Sequence, residues 1–220
     1  MWTVKFGNQA GAQNTYNRRP DKAVSSADRP QTLSIAVVYD LPVGKGKAFG
    51  SRMPKVANAI FGDWRISAIQ RYQSGAPLGI ASNQNLFGAG NPRASFAAGA
   101  GVTIPLINPA WNSSDAVAAS VSELNKAAFV FPANMTYGNT PLRIAQLRGP
   151  KTINEDIAVL KNFHIAEKRY FEFRLSAFNA LNRHIFPGPD TNMASSTFGF
   201  ITSPQGNTPR NVQLGMKFYF

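Results

Sequence analysis

The sequence predicts an all-β fold: a partial antiparallel up-and-down transmembrane β-barrel, about five or six strands in an open curved sheet with long extracellular loops. Three observations carry this prediction. Several segments of about ten residues alternate apolar and polar side chains, the pattern of strands with one greasy face. Their connections alternate between long and short, as in meandering barrels with tight turns on one side. No run of about 18 apolar residues occurs, so any membrane crossing is made by strands.

The elements follow in chain order. Trp2, Val4 and Phe6 alternate with Thr3, Lys5 and Gly7 and read as the stub of a strand. Residues 8–30 are rich in Asn, Gln, Gly, Arg and Ser, with Pro20 and Pro30, and read as a loop. The first full strand is 32–41. Leu33, Ile35, Val37, Tyr39 and Leu41 share one phase; Ser34, Ala36, Val38 and Asp40 share the other. Pro42 and Gly44-Lys-Gly-Lys47 end it, and 54–60 suits one or two helical turns. The second strand is 63–73, with Trp64, Ile66, Ala68 and Tyr72 against Arg65, Ser67 and Arg71. Ile69 and Gln70 fit that alternation poorly.

Residues 74–150 form a long irregular stretch punctuated by Gly and Pro. Within it, 113–128 has helical spacing: Ser113, Ser114 and Asp115 are cap residues, and Val117, Val121 and Leu124 recur behind them. A structureless loop this long argues against a compact soluble domain and suits the outer side of a barrel.

The next strand is 156–165. Ile157, Val159, Phe163 and Ile165 share a phase with Lys161, which is the main exception. A lysine facing lipid at mid-bilayer costs roughly 2–4 kcal/mol, so Lys161 is expected to snorkel or to sit near an interface. Residues 166–169 make a short turn. Strand 170–179 places Phe171, Phe173, Leu175 and Ala177 opposite Glu172, Arg174 and Ser176. A loop from 182 to about 209, containing Pro187-Gly-Pro189, leads to the last strand.

That strand, 211–220, has the cleanest alternation. Val212, Leu214, Met216, Phe218 and Phe220 are apolar; Asn211, Gln213, Gly215, Lys217 and Tyr219 lie between them. Tilted near 45°, such a segment spans roughly 23 Å, close to the apolar band of a membrane barrel. Strands 32–41, 156–165 and 211–220 would descend, and 63–73 and 170–179 ascend, ending the chain on the periplasmic side. Tyr39, Trp64, Tyr72 and Phe171 are candidates for interfacial aromatic girdles. Arg65, Arg71, Glu172, Arg174 and Lys217 take the opposite phase and are candidates for lumen-facing positions. Glu172 and Arg174 read as an ion pair in the wall in preference to a ligand path.

Composition narrows the function. Charged residues are only 15% of the chain, below the quarter usual in soluble domains. The net charge of +12 invites a nucleic-acid reading, but Lys and Arg are dispersed and no basic module appears. With no cysteine, disulfides and thiolate metal sites are excluded. His164 and His184 lack a second ligand at metal spacing, and Gly44-Lys-Gly-Lys47 lacks the spacing of a phosphate-binding loop. No nucleophile motif is present. The expectation is a protein with no catalytic residue, no cofactor, no metal and no nucleic-acid partner.

Met1-Trp-Thr-Val-Lys-Phe-Gly lacks the basic start and apolar core of a signal peptide. Single-chain barrels need about eight strands or more. An open sheet would leave edge amides unpaired in hydrocarbon, at several kcal/mol each. Residues 1–220 are therefore expected to be the C-terminal part of a larger barrel, with further strands and the export signal upstream.

The motifs Tyr137-Gly-Asn-Thr, Leu147-Arg-Gly-Pro150, Asn154-Glu-Asp156, Lys161-Asn-Phe163, Glu167, Phe173-Arg174 and Phe178-Asn-Ala-Leu-Asn182 resemble the C-terminal barrel of TonB-dependent receptors. The subgroup is the one carrying an N-terminal carboxypeptidase-regulatory-like domain. Asp28-Arg-Pro30, Tyr39-Asp-Leu-Pro42, Gly62-Asp-Trp64 and Tyr72-Gln-Ser-Gly75 look like the same family's upstream strands. The likeness spans most of the chain except about 80–130. It implies a plugged barrel of about 22 strands in a Gram-negative bacterial outer membrane. The aromatic ending resembles the signal read by the barrel-assembly machinery. Family members take up scarce ligands, powered by the TonB complex through an N-terminal plug segment that nothing here matches. The implied partners are outer-membrane lipid, the assembly machinery, and the remaining barrel and plug; the chain alone would not perform energised transport.

A second reading is a soluble β-rich binding module, for example for glycans, using the long loop. It predicts that the apolar phases pack inward against a second sheet.

Overall fold

Period-two segments become strands, and the register between strands decides which residues share a face. The computed structural model describes residues 2–3, 13–14, 16–82, 92–112, 120–166 and 169–220. The elements are β1 (Trp2–Thr3), β2 (Ala23–Val24), β3 (Thr32–Asp40), α1 (Lys55–Phe61), β4 (Trp64–Gln73), β5 (Pro77–Leu78), β6 (Ser95–Phe96), β7 (Phe129–Val130), β8 (Ile144–Arg148), β9 (Thr152–His164), β10 (Tyr170–Phe178) and β11 (Asn211–Tyr219). No helix of the described residues is long and apolar enough to cross a membrane.

The chain divides into two compact units. The first comprises 31–73, 152–184 and 207–220. It is a five-stranded antiparallel meander in the order β11-β10-β9-β4-β3. The strands match the expected segments closely, except that β9 begins at Thr152. Asn154 and Glu155 hide that start because polar residues occupy both phases. Their backbone nevertheless pairs with Arg71 and Gln70 of β4. Both edge strands, β3 and β11, are exposed along their whole length and, among the described residues, pair on one side only.

The tight connections are built as the sequence suggests. Between β3 and β4, Pro54 precedes α1, and the Asn58 side chain accepts from the Lys45 amide at 2.6 Å. Between β9 and β10, the Ile165 amide donates to the Arg169 carbonyl at 2.9 Å. Glu167 and Lys168 lie outside the described residues.

The second unit comprises 1–30, 74–151 and 185–206. It has almost no long strands, yet it has a core: Ile80, Ala94, Leu124, Phe129, Ile144, Leu147, Met193 and Phe198 pack together. Phe129 meets Phe96 and Phe198 at ring-centroid distances of 6.0 and 6.1 Å. The described residues of 74–150 are thus folded, held by two-stranded ladders of β5 with β8 and β6 with β7. Its apolar residues fall at irregular spacings, which no periodicity reveals.

Two expectations are corrected here. Trp2–Thr3 does not extend the five-stranded sheet; it pairs with Ala23–Val24 in a separate ladder. Val4 and Phe6 lie outside the described residues. The helix over 113–128 does not continue through its second half. Residues 113–119 lie outside the described residues; beyond them, Leu124 bridges to Ile107 and is buried, and only a short 3-10 turn follows at Lys126–Ala128. The Asn125 side chain accepts from the Ala127 amide and donates to the Pro105 carbonyl, a local turn that competes with helix.

Candidate functional site: the two faces of the sheet

Directly opposed residues in antiparallel strands share a face. Val212, Leu214, Met216 and Phe218 of β11 oppose Ala177, Leu175, Phe173 and Phe171 of β10. Those in turn oppose Ile157, Val159, Lys161 and Phe163 of β9. The row continues through Ala68, Ile66 and Trp64 of β4 to Val37 and Tyr39 of β3, with Leu33 opposite Tyr72. The apolar phases of all five strands of this sheet therefore lie on one face. That face is uncovered: Leu214 is 76% exposed, Met216 61% and Leu33 53%. Among the described residues, the second sheet expected of a soluble sandwich does not cover it.

The aromatic candidates all lie on this face. Trp64 and Phe171 sit toward the tight-turn end, with Tyr39 one pair further in; Tyr72 sits toward the loop end. Trp64 is held by its indole N–H, which donates to the Ile60 carbonyl at 2.9 Å. Phe171 packs on Phe218 at 4.7 Å.

Lys161 shares the apolar face near the tight-turn end and is buried, not extended into solvent. Its ammonium donates to the Gly62 carbonyl and lies 5.5 Å from the Trp64 ring and 5.1 Å from the Phe163 ring. A carbonyl and two aromatic faces replace the water it would otherwise need. At the other end of the face, Glu155 opposes Gln70 and pairs with Arg183 at 3.3 Å. The polar exceptions are thus confined near the two ends of the strands.

The opposite face holds all five polar candidates. Lys217 opposes Glu172, Arg65 opposes Asp40, and Arg71 opposes Asn154. The expected Glu172–Arg174 ion pair does not form: the Arg174 guanidinium donates to Ser176 Oγ at 3.0 Å. Arg174 thus turns to its other same-face neighbour on the strand, two residues further on. The cross-strand pair Asp40–Arg65 forms instead, with Nε to Oδ1 at 2.5 Å and Nη2 to Oδ2 at 3.2 Å. Beside it, Asp63, Asn162 and Glu172 help line a small cleft of about 120 Å³.

A larger cleft, about 680 Å³, opens at the loop end of the polar face. It is built around Asn179, which single-sequence reasoning did not mark as functional. Asn179 is buried with φ of 49°. Its amide donates to Asp156 Oδ1 at 2.8 Å, and its side chain bonds Arg183 N, Arg183 O and Thr208 O at 2.7, 2.9 and 3.1 Å. Asn182, also left-handed at 52°, accepts from the Arg210 amide at 3.0 Å. Asparagine tolerates that backbone better than most residues, which explains two of the polar positions in the Phe178-Asn-Ala-Leu-Asn182 motif.

The second unit carries its own polar centre. Arg148 donates to Asp28 Oδ2 at 2.7 Å and to the Asp28, Gly75 and Ala145 carbonyls. Arg148 holds the Asp28 carboxyl below the usual aspartate range. Glu123 is 1% exposed, and its Oε2 has no hydrogen-bond partner among the described residues. Burial raises its pKa from 4.5 to about 7.

An open meander of barrel-length strands, apolar on one uncovered face and polar on the other, defines a class: the wall of a membrane β-barrel. The chain belongs to the outer membrane beta barrel domain family, whose model matches residues 3–213. This places it in an outer membrane. Comparison with curated proteins and with solved structures returned no match.

Proposed function

We propose that the chain supplies wall strands and ligand-facing loops to a TonB-dependent outer-membrane receptor, whose role is uptake and not catalysis. The observation that carries the membrane part is the convergence of all five apolar phases on one exposed face. On this reading Val212, Leu214, Met216 and Phe218 face lipid, and Arg65, Arg71, Glu172, Arg174 and Lys217 face the interior.

The single-sided edges β3 and β11 support closure by further strands. Unpaired ladder groups in hydrocarbon cost several kcal/mol each, so a membrane-embedded sheet cannot leave them open. The receptor part rests on the motifs that resemble that family. In the fold they meet as pairs, Asp28 with Arg148 and Asp156 with Asn179. Energised transport would require a plug and a TonB-contacting segment, and the assembly machinery would read β11.

The test uses single cysteines, because the chain has none of its own. In outer membranes, a lipid-phase quencher should reach a fluorophore on Leu214→Cys and not on Gln213→Cys. Equal quenching would sink the wall reading. For the receptor reading, loss of this gene and loss of TonB should abolish uptake of the same solute. Uptake that survives loss of TonB would reject it.

A further inference from the structure

The polar face carries a cleft whose chemistry no barrel wall requires. Phe178 lies on this face at 42% exposure, with Asn211 directly opposite on β11. Around it the cleft is lined by Asn154, Asp156, Arg210 and Gln213. Its volume, about 680 Å³, falls within the roughly 300–1,000 Å³ typical of small-molecule sites.

The available polar atoms are specific. Asp156 Oδ1 is used by the Asn179 amide and the Asn154 side chain, leaving Oδ2 uncommitted among the described residues. The side chains of Asn211 and Gln213 lie exposed on β11, each offering a carbonyl acceptor and an amide donor. One carboxylate and one guanidinium balance, so the cleft has no strong preference for an anion. An aliphatic ligand would strand the amides, and a phosphate or an anionic iron chelate would meet Asp156 without an excess of cations.

We propose that this cleft binds a neutral carbohydrate. A pyranose ring offers a C–H face that packs on the Phe178 ring and hydroxyls that both donate and accept, as the surrounding amides do. The floor is rigid: strands position five of the six residues, and the buried Asn179 ties the 207–210 wall to β9. The proposal rests on the receptor reading only for its place in uptake. Binding to purified protein needs no transport, so the two fail separately.

The test is calorimetric titration of the full-length protein, extracted from outer membranes in detergent, with maltohexaose, cellohexaose, xylohexaose and mannohexaose. A ferric hydroxamate chelate serves as the contrasting probe. At least one hexasaccharide should bind, weakened about tenfold or more by Phe178→Ala and severalfold by Gln213→Ala. Heat-modifiable migration on gels reports that each variant remains folded. The Gln213 side chain lies on the polar face opposite Ser176 and outside the apolar row, so its variant keeps the test valid if Phe178→Ala misfolds. Absence of binding by every hexasaccharide at about millimolar concentration overturns the proposal. So does sugar binding unchanged in both variants, or Phe178-dependent binding of the chelate alone.

Discussion

Asp28 and Arg148 lie 120 residues apart in the chain and meet in a 2.7 Å ion pair. Arg148 also donates to three backbone carbonyls, including that of Gly75. Gly75 itself lies so close to Gly149 that a Cβ there would strike the Gly149 carbonyl. One arginine and one close glycine contact thus gather the end of the 1–30 segment and both ends of the 74–151 segment.

Arg148→Met should loosen that unit while sparing the sheet. Limited proteolysis should cut within 74–151 faster, with β-sheet circular dichroism unchanged. Asp28 has a folded pKa below its unfolded value, so its contribution is present above the ordinary aspartate range. It is lost as pH falls through the depressed value. Asp28→Asn should remove that acid sensitivity.

Glu123 has the opposite sign. Its folded pKa of about 7 lies above the ordinary 4.5, so the folded unit binds the extra proton between them. Stability should therefore fall as pH rises from about 4.5 to 7, then level off. The full difference is on the order of 3 kcal/mol. Glu123→Gln should flatten the profile and stabilise the unit at pH above about 7, read by hydrogen exchange of the Leu124 and Gly199 amides.

Asn179→Ala should destabilise the sheet unit by about 2–4 kcal/mol, because it strands buried partners and keeps a left-handed backbone. Heat-modifiable migration of the full-length protein should shift to lower temperature. At Asn182, glycine should be tolerated and valine should not, since only the second opposes the positive φ of 52°.

Leu214→Lys places a charge at the middle of β11's exposed apolar face and should cost about 2–4 kcal/mol if that face meets lipid. Phe220→Ser in the full-length protein should impair membrane assembly more than ligand affinity. The measurement is the amount of protein recovered in outer membranes against the affinity of what is recovered. Normal assembly with weakened binding would contradict the terminal strand's assigned role.

Much of the sheet was legible because a strand writes its environment in every second residue. Phe218, Met216, Leu214 and Val212 need no partner to announce a greasy face. The exceptions were legible as exceptions but not as solutions. Lys161 stood out in the apolar phase, yet its Gly62 carbonyl and Trp64 ring come from another strand's approach. Glu172 and Arg174 looked paired because they are close in sequence; Arg65 found Asp40 because register put them opposite. The helical spacing near 113–128 misled because Leu124 is apolar for the sake of a core gathered from distant segments.

Alternation, turn residues and the absence of long apolar runs determined by themselves that this chain holds strands, each with one apolar side. Those signals are local, set by the pleat and by single-residue backbone preferences. Only the tertiary structure decided that all five phases fall on the same face, that 74–150 encloses a core, and that Asn179, Phe178 and Asn211 shape a cleft. Each depends on contacts between residues far apart in the chain, and long-range pairing leaves no periodic trace in a single sequence.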